Sequence, residues 1–251
     1  MKVAILGSGT AVPSLRRHSA AYLLQHRGEN ILFDCGYGAL HQLLRLGLSY
    51  HDVDRIFFTH VHPDHISDLI PFLFATRYPE DPRQKELTLV GAPGFGQFFT
   101  ALTSAFRHWL IPTEYPLHII EQDTDTRLHG TLEATAGMVQ HMDLSRAWRV
   151  RDPVSGKTLV FSGDTDYSPE LALLAKDVDL LILECSFPDT AKVAGHLTPQ
   201  EAGRLAHAAG CKKLCLTHFY PTMDPESARA GAAKEYAGEI LLAEDLLAIT
   251  V

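Results

Sequence analysis

The chain has 251 residues, enough for one large domain or two small ones with an ample core. Apolar residues make up 46% and charged residues 21%, as in an ordinary globular protein. With 22 basic against 30 acidic residues the net charge is −8, which argues against a grip on long nucleic acid through a broad basic surface.

The opening MKVAILGSGT holds only a four-residue apolar run before Gly7, too short for the hydrophobic region of a signal peptide. LIPFLFA at 69–75 is too short to span a membrane and contains Pro71. Cys35, Cys185, Cys211 and Cys215 show no framework spacing, so reduced thiols and a cytoplasmic protein are expected. Cys211 and Cys215 lie across a helix-to-strand junction and read as core residues rather than a metal pair.

In chain order the strand candidates are KVAIL (2–6), AAYLLQ (20–25), NILFDCG (30–36), RIFFTH (55–60), LTLVG (87–91) and LHIIE (117–121). They continue with TLEATA (131–136), WRVRD (148–152), KTLVFSGD (157–164), DLLILEC (179–185), KKLCLTH (212–218) and LLAITV (246–251). About twelve strands are too many for one small sheet. Between them, GALHQLLRLG (38–47) carries leucines at helical spacing and a glycine stop, and 94–110 is a second helical pattern. Ser168-Pro169, Thr198-Pro199 with Glu201 in a capping box, and Asp224-Pro225 mark three helix starts. The polar stretch RYPEDPRQKE (77–86) reads as a solvated loop. The pattern predicts a single domain over 1–251, two sheets packed face to face with helices outside.

LGSGTAV begins like a dinucleotide fingerprint, but Val12 stands in place of the third glycine and Pro13 follows where a helix should be established. A tight turn bringing backbone close to another segment is the better reading.

THVHPDHISD (59–68) concentrates three histidines and two aspartates in ten residues. His60 and His62 follow a strand and, two apart on extended chain, point to one side. Pro63 holds His62 extended and lets the chain turn into a helix carrying Asp64 and His65. Four ligand side chains thus converge on one junction, and their nitrogens and oxygens suit Zn²⁺, and also Mn²⁺ or Fe²⁺. A catalytic pair of ions needs more ligands than these. His141, Asp164 and His218 sit at the ends of other strands, although each taken singly reads more readily as a loop residue.

In this order, His-x-His-x-Asp-His, His141, Gly163-Asp164-Thr165 and Thr217-His218, the sequence resembles the metallo-beta-lactamase superfamily. LGSGTAVPS (6–14), LFDCGYG (32–38), GDTDYSPEL (163–171), LLILECSF (180–187) and GHLTPQEAG (195–203) narrow the likeness to its ribonuclease Z-like branch. The resemblance implies an αββα four-layer sandwich, two mixed β-sheets flanked by helices, with two divalent metal ions at the strand ends. It implies one ion on His60, His62 and His141, the other on Asp64, His65 and His218, and Asp164 bridging. Two cations lower the pKa of a water between them and make it a nucleophile.

The branch also has a histidine in a His-x-Thr motif that assists the leaving group. Here it is His196, with Thr198 matching. Its companion motif, His-Glu-Ala-Thr, reads LECS, so Glu184 is kept while Leu183 replaces the histidine. Paired with a carboxylate, an imidazole is favoured in its proton-donating form. Asp64, His196 and Glu184 are therefore the catalytic candidates, and Asp34 is expected to orient ligands rather than bind metal.

Ribonuclease Z proteins carry a long Gly/Pro-rich arm for the transfer RNA elbow between the third histidine ligand and the bridging aspartate. Here 22 residues separate His141 from Asp164, and they hold only three arginines and one lysine against two aspartates. The expectation is a metal-dependent phosphodiesterase for small or cyclic nucleotide phosphodiesters or short RNA ends. Transfer RNA 3′ processing, or lactone or thioester hydrolysis on the same fold, is the alternative. The apolar stretch 69–78 is the expected face for a homodimer.

Overall fold

The computed structural model describes residues 1–251. In the first sheet β1 (Lys2–Gly7), β2 (Ala21–His26) and β3 (Glu29–Phe33) form an antiparallel meander. From β3 the sheet continues in parallel through β4 (Arg55–Phe57), β5 (Leu87–Gly91) and β6 (Leu117–Glu121). The second sheet starts with an antiparallel run of β7 (Thr126–His129), β8 (Leu132–Met138), β9 (Arg146–Arg151) and β10 (Thr158–Phe161). It ends in parallel with β11 (Leu180–Glu184), β12 (Lys213–Thr217) and β13 (Glu239–Leu242). The last strand, β14 (Ala248–Thr250), returns to pair antiparallel with β1, so each sheet has seven strands.

Parallel neighbours need crossovers, and helices supply them. The first sheet is covered by α1 (Ala39–Arg45), α2 (Pro63–Ile66), α3 (Leu69–Ala75) and α4 (Phe95–Phe106). The second is covered by α5 (Pro169–Leu174), α6 (Pro199–Ala209) and α7 (Pro225–Ala232). Along β1 the side-chain alternation splits the core: Val3 and Ile5 join the cluster between the sheets, while Ala4 and Leu6 join the cluster under the first-sheet helices. Between the sheets Phe33 stacks on Phe161 at 3.9 Å, and Trp148 meets Phe57 edge-on at 5.0 Å. A third cluster fills the space between the second sheet and its helices, which completes the αββα sandwich. No helix is long and apolar enough to cross a membrane.

The three helix starts lie where the sequence puts them. Ser168 and Asp224 accept the backbone N–H groups of Leu171 and Ser227, and Thr198 with Glu201 forms the capping box. The LGSGTAV turn is a close approach: a Cβ on Gly7 would stand 1.8 Å from the Ser19 carbonyl oxygen. All four cysteines are free and buried.

Three expectations need correction. Two strands were not predicted, β7 and β13; both are four-residue edges of the second sheet, too short to show a period of two. The predicted strands 30–36 and 212–218 stop early, at Phe33 and Thr217, because Asp34 (φ 59°) and His218 (φ 58°) turn the chain through the left-handed region. The loop at 77–86 is not wholly solvated. Arg83 is fully buried and donates to the carbonyls of Tyr50, Val53, Lys85 and Glu86, pinning the loop to the segment before β4.

Candidate metal centre

The C-terminal ends of the parallel strands of both sheets meet at one place. After β4 the chain leaves the sheet through Thr59 and His60; His62 is extended (ψ 148°), and Pro63 opens α2 with Asp64 and His65 in its first turns. The second sheet brings His141 after β8, Asp164 after β10, Glu184 at the end of β11 and His218 after β12. His60, His62, His141 and Asp164 place one ligand atom each within 4.8 Å of one another, and Asp64, His65 and His218 do the same. The seven residues carried over as ligands therefore fall into two adjoining groups with Asp164 at the seam: its Oδ2 is 3.8 Å from His60 and from His141, and its Oδ1 is 3.3 Å from His65 and from His218. His62 and His141 are partly exposed, and the others are buried.

Four of the five histidines are anchored through Nδ1, which leaves Nε2 facing the cluster. His65 donates to Asp34 Oδ2 at 2.8 Å, and His141 to the Gly195 carbonyl at 3.0 Å. The Thr59 and Ser186 hydroxyls donate to Asp34 and Glu184, so they accept from Nδ1 of His60 (3.1 Å) and His218 (3.0 Å). Such anchoring fixes ring orientation and tautomer for metal binding. The consequence is a set of lone pairs pointed at one another: Nε2 of His65 and His218 lie 3.3 Å apart, and Nδ1 of His62 lies 3.1 Å from Nε2 of both His60 and His141. Asp164 Oδ1 is buried without a hydrogen-bond partner. Burial disfavours a charged Asp64 or Asp164, yet the surrounding imidazoles hold both carboxyls below their usual range. Burial and neighbouring imidazoles lower His60 and His62 towards the neutral form in which an imidazole can bind a metal. Against its burial, His65 is raised by Asp164 and Asp34, a positive charge that a cation would replace. Facing lone pairs and an unpaired carboxylate oxygen fit divalent cations and little else.

His196 stands at the rim on the loop before α6. Its Nδ1 lies 3.0 Å from Glu184 Oε1, and its ring packs edge-on against His141. Burial works against the imidazolium, but the hydrogen bond and charge of Glu184, with Asp164 and Asp64 behind it, raise its pKa above the ordinary value. His196 also falls in a possible ligand group with Asp164 and His218. The nitrogen that faces Asp164 is the Nδ1 committed to Glu184, which disfavours that role. Asp34 is fully buried and belongs to neither ligand group; it accepts from Thr59 N, Thr59 Oγ1 and Nδ1 of the candidate ligand His65. Sequence reasoning overlooked Thr59 and Ser186. Both stand beside a motif residue, and a hydroxyl next to a ligand histidine or glutamate was the available signal.

The chain matches the Beta-lactamase superfamily domain over residues 29–219. It is 32% identical to the ribonuclease Z of Streptomyces coelicolor, with all of this chain and 97% of the relative covered, and 30% identical to that of Brevibacillus brevis, with 97% and 91% covered. Among solved structures it resembles the metallo-beta-lactamase fold protein YhfI from Bacillus subtilis (TM-score 0.87, 26% identity, 99% and 98% covered). It also resembles the short form of human tRNase Z (TM-score 0.75, 26% identity, 100% and 99% covered). A metal-dependent hydrolase is the class that this fold and site define. Within that class, the chain belongs to the ribonuclease Z-like branch of the metallo-beta-lactamase superfamily.

Proposed function

We propose that this hydrolase cleaves phosphodiester bonds with two zinc ions, and that its substrates are small or cyclic nucleotide phosphodiesters or short RNA ends. His60, His62 and His141 would hold one ion, Asp64, His65 and His218 the other, and Asp164 both. When bound, such a pair supplies a nucleophilic water near neutral pH and offsets negative charge on the phosphoryl centre. The chain's own residues do the rest. Glu184 accepts from His196 Nδ1 and keeps the ring charged, so its Nε2 donates a proton to the departing oxygen. Ser186 donates to Glu184 while accepting from His218, which ties the proton donor to the ligand set.

The observation that carries this reading is His196 on Glu184 beside the ligand cluster, because hydrolysis of an ester or lactam has less need of a strong proton donor there. For substrate size the support lies between His141 and Asp164. That segment is a turn, β9, a second turn and β10, with no arm. The alignment with the Streptomyces relative runs over 294 positions against 251 residues here, so the relative has segments without a counterpart.

A second reading, cleavage of precursor transfer RNA, is favoured by the likeness to human tRNase Z and to proteins named ribonuclease Z. Catalytic efficiency on cyclic nucleotides and on precursor tRNA, compared across a salt series, decides between the two. Small substrates should be cleaved faster and with little salt dependence; faster, strongly salt-dependent cleavage of precursor tRNA reverses the choice. The reading includes a homodimer through the face around α3, where Phe74, Phe106 and Trp109 are about half exposed. Sedimentation equilibrium tests that pairing.

A further inference from the structure

A phosphodiester bound at this centre needs hydrogen-bond donors for its non-bridging oxygens. Most donors around the cluster are already committed. The hydroxyls of Thr59, Ser186 and Thr165 donate to Asp34, Glu184 and the Asp166 carbonyl. Arg17 lies over the Phe219 ring and commits Nη1, one part of its guanidinium, to Ser8 and the Ala243 carbonyl. Lys192 donates to Asp166, Glu201 and the His196 carbonyl, and so uses all three ammonium protons. The Tyr22 hydroxyl is buried against Thr217.

Tyr220 is different. Its ring centroid is 6.0 Å from that of His196 and 5.8 Å from that of His218, nearly perpendicular to both. It flanks the proton donor and a ligand of the cluster, whose rings stack 6.0 Å apart; it is half-buried, and its hydroxyl makes no hydrogen bond to the protein. Phe187 stacks on it at 4.5 Å and 24°, and meets His196 edge-on at 5.5 Å. The stack restricts the ring before any substrate arrives, and such preorganisation is what a positioning contact requires.

We propose that Tyr220 is a substrate-binding residue whose phenol donates to a non-bridging phosphoryl oxygen. The assignment rests on the phosphodiesterase reading. Phe187 acts through Tyr220, as a positioning residue. The phenol keeps its proton at neutral pH, so it serves as a donor and not as a nucleophile.

Tyr220→Phe keeps the stacked ring and removes only the hydroxyl. Metal-loaded wild type and variant are compared by calorimetric titration with inorganic phosphate, by metal analysis, and by kcat and KM on a cyclic nucleotide. We expect phosphate to bind about tenfold more weakly, KM to rise by a similar factor, kcat to stay within about twofold, and metal content to be unchanged, as for loss of a hydrogen bond to a charged group. Phe187→Leu should weaken phosphate binding by a smaller factor, about two- to threefold, through loss of ring alignment alone. Equal phosphate affinity in wild type and Tyr220→Phe, or loss of metal from that variant, overturns the proposal. If wild type cleaves no phosphodiester while the two phosphate affinities differ, the phosphodiesterase reading fails and the assignment of Tyr220 as an anion donor stands.

Discussion

The two sheets contribute to the centre in opposite ways. The first delivers His60, His62, Asp64 and His65 from one continuous turn after β4, held by the buried Asp34 carboxylate, which accepts two hydrogen bonds from Thr59 and one from His65. The second delivers His141, Asp164 and His218 from three separate strand ends, and anchors its histidines on neutral groups, the Gly195 carbonyl and the Ser186 hydroxyl. Hydrogen bonds to a charged acceptor are roughly twice as strong as neutral ones. In the first half a carboxylate holds His65 directly and His60 through Thr59, while both anchored histidines of the second half rest on neutral groups, one of them backed by Glu184.

Asp164 is where the halves meet, so its removal should have the largest effect. Carefully loaded wild type should hold about two divalent ions, as a two-metal hydrolytic site requires. Asp164→Ala should lose most of that metal and nearly all activity, read by elemental analysis after gel filtration. Retention of both ions would mean that the halves bind independently. A single tightly held ion in the wild type would remove the dinuclear reading itself.

His196 comes next, because in the proposed mechanism it acts on the substrate and not on the ligand set. His196→Ala should lower turnover by roughly 10²–10⁴-fold, the range for loss of a general acid, with metal content unchanged. A nitrophenyl phosphodiester, whose leaving group departs without protonation, should lose less. Equal losses on good and poor leaving groups would make His196 a positioning residue instead.

The contrast between charged and neutral anchors is tested directly by Asp34→Ala against Ser186→Ala. Loss of a group that orients a ligand costs about 10–100-fold in metal affinity. The Asp34 variant should lie at the upper end, since His65, Thr59 and through Thr59 also His60 lose their support. The Ser186 variant should lie at the lower end, with only His218 released from its anchor. Competition with a chromophoric chelator gives both constants, and the reverse order would break the comparison.

The same asymmetry governs how much the sequence reveals. Residues 60–65 were legible as a candidate metal site from spacing alone, because strand, proline and helix turn put four potential ligands together locally. His141, Asp164 and His218 were not: each is a lone residue after a strand, and only the order of β8, β10 and β12 in the folded sheet brings them together. Resemblance to a family, not periodicity, nominated them. Helix caps at Ser168, Thr198 and Asp224 were readable because capping is a local hydrogen-bond arrangement. Edge strands β7 and β13 and the buried Arg83 were hidden for other reasons. β13 and Arg83 depend on neighbours distant in sequence, Leu214 across the ladder and Tyr50 beneath the loop, while β7 pairs locally with β8 but is too short to show its alternation.

The halves meet a second time away from the metals, at His129. Its Nε2 lies 2.8 Å from Oε1 of Gln122, which follows β6 of the first sheet, and its ring meets Phe57 edge-on at 5.0 Å. Gln122 donates its amide protons to the carbonyls of Asp125 and Ala134, so its oxygen must accept from His129. Burial, with the cations of Arg55 and Arg127, lowers the His129 pKa to about 4. In the folded protein the ring is therefore neutral down to that pH, while in the unfolded chain it gains a proton near the ordinary value of about 6.5. Over this interval the unfolded state binds more protons, so stability falls as pH falls from about 6.5 towards 4. His129→Gln cannot take up that proton. Denaturant unfolding of metal-free wild type and variant at several pH values between 7 and 4 should show the wild-type advantage shrinking on acidification, by on the order of 2 kcal/mol in all. A difference that stays constant with pH would mean that His129 joins the sheets by shape alone.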